Sequence, residues 1–322
     1  MFSFRGKSKK KSIAAIVSGD EGVSVVSLNI KDDKPQLNIC DFTLWEDGAA
    51  HEKLLAQKSK EFGLSTYDCT TVLGLGEYSV ISVDAPDVPA NELRAAVRWQ
   101  VKDLIDIHID DAVIDVFDAP ASGASNQQNK MYVVVSKSST VRECVDQLQD
   151  ADANLTTIDI PEMVLRNITA RLPENDAGVA MIYLTRDRGL IIVARQSTLY
   201  FARTLDIGYH YLNQSVDQGF GLGLEGQTES NAAFDNLVLE VQRSLDYYDR
   251  YFSQPPVAGL VIAPTEMPVV GLDEYLNQAL GMSVRHLDLS EIVEFEQPLS
   301  IAEQAHCLPA IGAALRQKQV AL

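Results

Sequence analysis

Two short turns hold the residue types that could bind phosphate: Ser18-Gly19-Asp20-Glu21-Gly22 and Thr185-Arg186-Asp187-Arg188-Gly189. In such a turn a carboxylate, here Asp20 or Asp187, can orient Mg²⁺ and its waters. Glycines such as Gly19, Gly22 and Gly189 let backbone N–H groups approach a phosphate. Arg186 and Arg188 would add attraction. The same composition suits any β-hairpin, because Asp and Gly tolerate the backbone of tight turns. A further glycine run, 219–226, satisfies the GxGxxG spacing at Gly221, Gly223 and Gly226. No strand leads into it, and polar residues 227–230 delay the helix after it. It therefore reads as a flexible glycine-rich loop over 214–227, not as a dinucleotide fingerprint.

Other chemistry is sparse. The histidines His51, His108, His210, His286 and His306 include no i, i+4 pair. His108, Asp110 and Asp111 share one turn with metal-ligand types, but the turn reads as a solvated acidic bend, and no metal is expected. No serine lies in a GxSxG setting and no paired carboxylates are marked out, so no catalytic residue is assigned. Cys40, Cys69, Cys144 and Cys307 are far apart with no CxxC, which fits free thiols in a reducing compartment.

The chain has 322 residues, 46% hydrophobic and 22% charged, enough for two domains or one bilobed body with a sizeable core. A net charge of −18 would repel a nucleic acid duplex. No apolar run approaches the roughly 18 residues needed to span a bilayer. One segment reverses the sign: Arg5, Lys7, Lys9, Lys10 and Lys11 cluster beside Phe2 and Phe4. It lacks the apolar stretch of a signal peptide, so export is not expected. The cluster reads either as a solvated terminus or as a weak lipid contact of about 1 kcal/mol per basic residue.

The elements that would position the two turns repeat. Strand-like runs at 12–17, 23–30 and 36–45 are matched by runs at 178–184, 190–194 and 198–205, offset by 166, 167 and 162 residues. Each trio precedes polar, helix-prone sequence. Between them the reading gives a helix at 51–62, a strand at 71–75 and a hairpin-like pair around 77–83. The next stretch, 84–120, places Leu93, Val97, Val101 and Leu104 at helical spacing after Pro86 and Pro89, and then a strand at 113–117. A flexible connection at 121–129, a strand (130–135), a helix (138–151), a strand (155–160) and a helix entered at Pro161 complete the first half. The second half should continue with a helix at 230–251, a strand at 257–263, a helix at 273–280, a strand at 283–287 and a terminal helix at 308–318. Two β-β-β-α halves in tandem are the plan of the group that holds actin and hexokinase. The expected organisation is a first lobe at 1–84 and 156–175, an inserted α/β subdomain at 85–155 and a second lobe at 176–322.

Four stretches carry a closer resemblance: VDAPDVPANELRAAVRWQVKDLIDI, LTTIDIPEMVLR, residues 178–205, and LVLEVQRSLDYYDRYFSQPPVAGLVIAP. Together they resemble the PilM family of type IV pilus proteins, and within it the branch serving mannose-sensitive haemagglutinin (MSHA) pili. The resemblance implies an α/β, actin-like (FtsA/PilM-type) two-lobed fold with an extra subdomain in the first lobe. It implies a cytoplasmic protein held at the inner membrane by its partner, the cytosolic N-terminal segment of a single-span assembly protein. The assembly ATPase is a second candidate partner. The helix residues Leu93, Val97, Trp99, Val101 and Leu104 are the expected partner-groove positions. ATP with Mg²⁺ would be the family's nucleotide, but where a Gly-Gly turn should meet the base this chain has Ala263-Pro264, and proline removes an N–H. Gln100 and Ile105-Asp106 also depart from the pattern. The leading expectation is therefore a non-catalytic adaptor with degenerate turns and no cofactor. The alternative is an ATP-binding switch of pilus or secretion-system assembly. A secretion-system platform protein of the same fold ranks third, since such proteins continue into a membrane span.

Overall fold

The computed structural model describes residues 12–29, 34–45, 51–121, 129–221 and 223–316. The basic cluster at 5–11 and most of the 121–129 connection lie outside these residues.

The chain opens with β1 (Ile13–Ser18), β2 (Gly22–Asn29), β3 (Gln36–Leu44), α1 (His51–Phe62) and β4 (Asp68–Val72). Next come β5 (Tyr78–Asp84), α2 (Ala90–Val101), β6 (Ala112–Asp118), β7 (Lys130–Lys137) and α3 (Ser138–Asp150). β8 (Leu155–Asp159) and α4 (Pro161–Thr169) close the first half. The second half holds β9 (Val179–Leu184), β10 (Gly189–Arg195), β11 (Thr198–Leu205), α5 (Tyr209–Gly221) and α6 (Gly223–Phe252). It ends with β12 (Gly259–Ile262), α7 (Leu272–Leu280), β13 (Val284–His286) and α8 (Ile301–Ala314).

The duplication is real in three dimensions. One sheet runs β3-β2-β1-β4-β8 and the other runs β11-β10-β9-β12-β13. In both, an antiparallel meander continues into two parallel strands. Each meander is also bulged at the same place, at Ser27/Leu28 in β2–β3 and at Val193/Ala194 in β10–β11. β1, β2, β9 and β10 are buried almost throughout, as strands covered on both faces must be. Their inner faces meet α4 and α8, which share one core with both sheets. α8 is apolar around most of its circumference, the pattern of a helix surrounded by protein. Gly312 lets it approach α4, since a Cβ there would lie 2.5 Å from Val164 Cγ1. The outer faces carry α1 and α3 in one lobe and α5, α6 and α7 in the other.

A third, smaller sheet, β5-β7-β6, is antiparallel and backed by α2. Residues 77–83, expected as a hairpin-like pair, are instead the single strand β5, whose partner β7 comes some fifty residues later in sequence and could not be read locally. Two other expectations need correction. Residues 214–227 are helical up to Gly221 and again from Gly223, because α5 and α6 pack on each other. Tertiary packing overrides a glycine penalty of about 1 kcal/mol per residue. The terminal helix begins at Ile301 rather than 308. Ser300 and Glu303 form a capping box, and Pro309 is accommodated inside the helix.

Among the described residues no helix is long and apolar enough to cross a membrane. All four cysteines are free, with Cys69 and Cys307 buried and Cys40 and Cys144 half-buried.

Candidate functional site

The turn between β1 and β2 and the turn between β9 and β10 face each other across a cleft of about 500 Å³ between the lobes. Gly19, Asp20, Gly22, Asp187 and Pro264 all border or line this space, with Gly189 opening β10 beside it. The segment after β4 (Leu73–Leu75), Glu77, Pro161 of α4 and Pro309 of α8 complete the wall. Sequence reading thus identified turns that the fold does bring together.

Part of their backbone is already committed. Gly19 N–H donates to Gly22 O at 2.9 Å, Thr185 N–H donates to Arg188 O at 2.8 Å, and Arg188 N–H donates to Thr185 Oγ1 at 3.3 Å. Trp45 Nε1–H holds Gly19 O at 2.8 Å and stacks on His51. Both hairpin glycines have packing reasons to be glycine. A Cβ on Gly22 would lie 2.3 Å from Thr43 O, and one on Gly189 would lie 2.8 Å from Ile207 O.

The most tightly grouped side chains of the cleft were not singled out from sequence. Glu21 from the first turn, Glu266 from the segment after β12 and His306 of α8 place their ligand-type atoms within 4.8 Å of one another. Tyr209 O–H donates to Glu266 Oε2 at 2.6 Å and lies 3.4 Å from Glu21 Oε1. His306 Nδ1 is 3.7 Å from Glu21 Oε2, and its ring lies flat on Phe42 with centroids 3.7 Å apart. Burial, then the hydrogen bond to Glu266 and its charge, push the Glu21 carboxyl up to about 7. Burial would raise Glu266 as well, but hydrogen bonds from Tyr209 and Glu21 bring it below its ordinary value. As a pair the two carboxyls keep one proton more firmly than isolated carboxylates would, with Glu21 the group pushed up. Burial lowers His306, against the attraction of Glu266. Only the position of Glu21 inside the first turn gave a sequence signal. Glu266 and His306 reach the cleft by tertiary packing alone. The His108 turn makes no such grouping: its ring accepts from Asp110 N–H at 3.3 Å on the exposed surface.

The five helix positions expected to line a partner groove separate into two sets. Val97 and Val101 are fully buried in the insert core with Val83, Met131 and Val133, and Leu93 packs partly against them. Trp99 is 76% exposed and Leu104 is 59% exposed. Lys102 Nζ lies 5.4 Å above the Trp99 ring.

Comparison with known proteins places this architecture. The family model for type IV pilus assembly protein PilM matches residues 45–318, and the chain belongs to that family. No curated protein sequence matches it. The solved PilM–PilN type IV pilus biogenesis complex contains a chain similar over 95% of this one and 98% of its own length, at 18% identity and a TM-score of 0.74. The cytoplasmic domain of EpsL, an inner-membrane component of the Vibrio cholerae type II secretion system, is similar over 93% of this chain and 94% of its own, at 10% identity and a TM-score of 0.48. A Bacteroides thetaiotaomicron protein with an actin-like ATPase fold is similar over 94% of this chain and 98% of its own, at 11% identity and a TM-score of 0.47. The fold is the expected actin-like, two-lobed α/β fold.

Proposed function

We propose that this PilM-family chain is a non-catalytic adaptor. It holds the cytosolic N-terminal segment of a single-span pilus assembly protein and is kept at the inner membrane by that partner. The MSHA-type pilus is the system whose branch its sequence resembles. The observation that carries the reading is the exposed indole of Trp99, 76% accessible, on a helix whose other face fills the insert core, with exposed Leu104 in the turn that follows the helix. Exposed aromatic anchors of this kind dominate binding energy when a partner covers them. The PilM–PilN complex, a structure of the same fold, supports a partner of the PilN kind. The test is a binding titration of the full chain with a synthetic peptide of that N-terminal segment. Saturable binding that weakens in Trp99→Ala supports the adaptor. Absence of binding to any such segment refutes it.

ATP is not part of this reading. What argues against a triphosphate is that two carboxylates, Glu21 and Glu266, face the cleft, that the N–H groups of Gly19, Thr185 and Arg188 are already bonded, and that buried Pro264 has none to give. One observation favours the alternative, an ATP-binding switch: Arg186 and Arg188 both line the cleft. Calorimetry with Mg·ATP separates the two. No heat, with no copurified nucleotide, fits the adaptor, and saturable binding would give the lead to the switch.

A further inference from the structure

We propose that Glu21, Glu266 and His306 form a binding site for a divalent transition-metal cation, Zn²⁺ in particular, which ties the two lobes together across the cleft. The site stands apart from partner docking on the insert and needs no nucleotide. Its ligand atoms are two carboxylate oxygens and one imidazole nitrogen, all within 4.8 Å of one another. Mixed N and O donors suit Zn²⁺ and its neighbours in the first transition row, whereas Mg²⁺ prefers oxygen alone. The donors come from three separate elements. Glu21 sits in the β1–β2 turn, His306 on α8 against β2, and Glu266 follows β12 in the second lobe.

Each donor is held from behind. Ser24 Oγ–H donates to His306 O at 2.7 Å, and Phe42 stacks on the imidazole, so its Nδ1 edge is kept toward Glu21. Tyr209 O–H fixes Glu266 at 2.6 Å. Such supports orient metal ligands and set affinity. Two carboxylates placed face to face also form an arrangement that a cation stabilises better than a single shared proton. At Zn–O and Zn–N distances of about 2.0–2.1 Å, tetrahedral donors lie about 3.3 Å apart, so the site needs to contract by only about 1.5 Å at its widest edge. The open cleft leaves one coordination position for water and gives the ion a path in.

The test is calorimetric titration of the chelator-stripped full chain with ZnCl₂, followed by Co²⁺ loading of the unaltered chain. One saturable site is expected, with affinity about 100-fold weaker in Glu266→Gln and in His306→Gln and unchanged in His286→Ala, a half-exposed surface histidine. Melting without metal checks that each variant is folded. Co²⁺ should show the intense visible absorption of a four- or five-coordinate site. Absence of saturable binding, wild-type affinity in either cleft variant, or only the pale spectrum of hydrated Co²⁺ would overturn the proposal.

Discussion

Replacing Val97 and Trp99 of α2 separately by alanine should produce opposite phenotypes, although the two residues lie two positions apart on one helix. Val97 is fully buried among Val83, Val101, Met131 and Val133. Val97→Ala deletes two methyl groups, worth about 1.6 kcal/mol at ~0.8 kcal/mol each. A cavity that α2 and the β5-β7-β6 sheet cannot fully close raises the cost to about 2–3 kcal/mol. Trp99 loses little on truncation, because 76% of it is already in water. In the folded state it makes an ammonium–indole approach at 5.4 Å, worth about 0.5–1 kcal/mol at an exposed site. If the partner segment covers the indole, Trp99→Ala should cost at least about 2 kcal/mol of binding, roughly a 30-fold weaker Kd. The assays are urea unfolding, followed through the insert, and fluorescence titration with the partner peptide. Val97→Ala should lower the unfolding midpoint. Trp99→Ala should leave it nearly unchanged and lose affinity. An equal drop in midpoint for both variants, or a Trp99→Ala affinity within twofold of wild type, would refute the reasoning.

Gly22→Ala should destabilise by about 1–3 kcal/mol, because its Cβ would press on Thr43 O at 2.3 Å and on the Phe42 ring at 2.8 Å. Gly19→Ala meets nothing closer than 3.9 Å and should change thermal stability by less than about 0.5 kcal/mol. Equal losses would sink the packing account of the first turn. Tyr78→Phe removes the hydroxyl that donates to buried Glu162 at 2.6 Å and links β5 to α4. An unfolding titration should show a loss of about 1–3 kcal/mol, and a neutral result would mean that Glu162 finds another donor. Glu174 is held below its ordinary pKa, first by its hydrogen bonds to Arg285, against burial. A depressed carboxylate binds fewer protons folded than unfolded, so its stabilisation is full above the unfolded value and fades as pH falls through the acid range. Arg285→Ala should flatten that part of the stability–pH curve, and an unchanged slope would contradict the assignment.

The sequence carried the duplication because its cause is local. Burial on both faces makes β1, β2, β9 and β10 predominantly apolar runs, and each meander needs turn residues at the same spacing. α1 was legible from end to end, since it carries its own periodicity. The start of α8 was equally available in the Ser300–Glu303 capping box, although Pro309 obscured it. The two cleft turns were found because hairpin chemistry is written in neighbouring residues.

What the tertiary structure alone decided depends on residues distant in sequence. Strand β5 is defined by β7, and 214–227 became helical only because α5 and α6 support each other. The face of α2 was correctly periodic, yet periodicity assigns core and groove the same signature. Only packing showed that Val97 and Val101 point inward and Trp99 outward. The cleft's own chemistry was hidden most completely. Glu21, Tyr209, Glu266 and His306 span nearly the whole chain, and none of them stands in a local motif that marks it out. They become a site because two homologous sheets close on α4 and α8, and that closure brings side chains from opposite lobes within hydrogen-bonding reach.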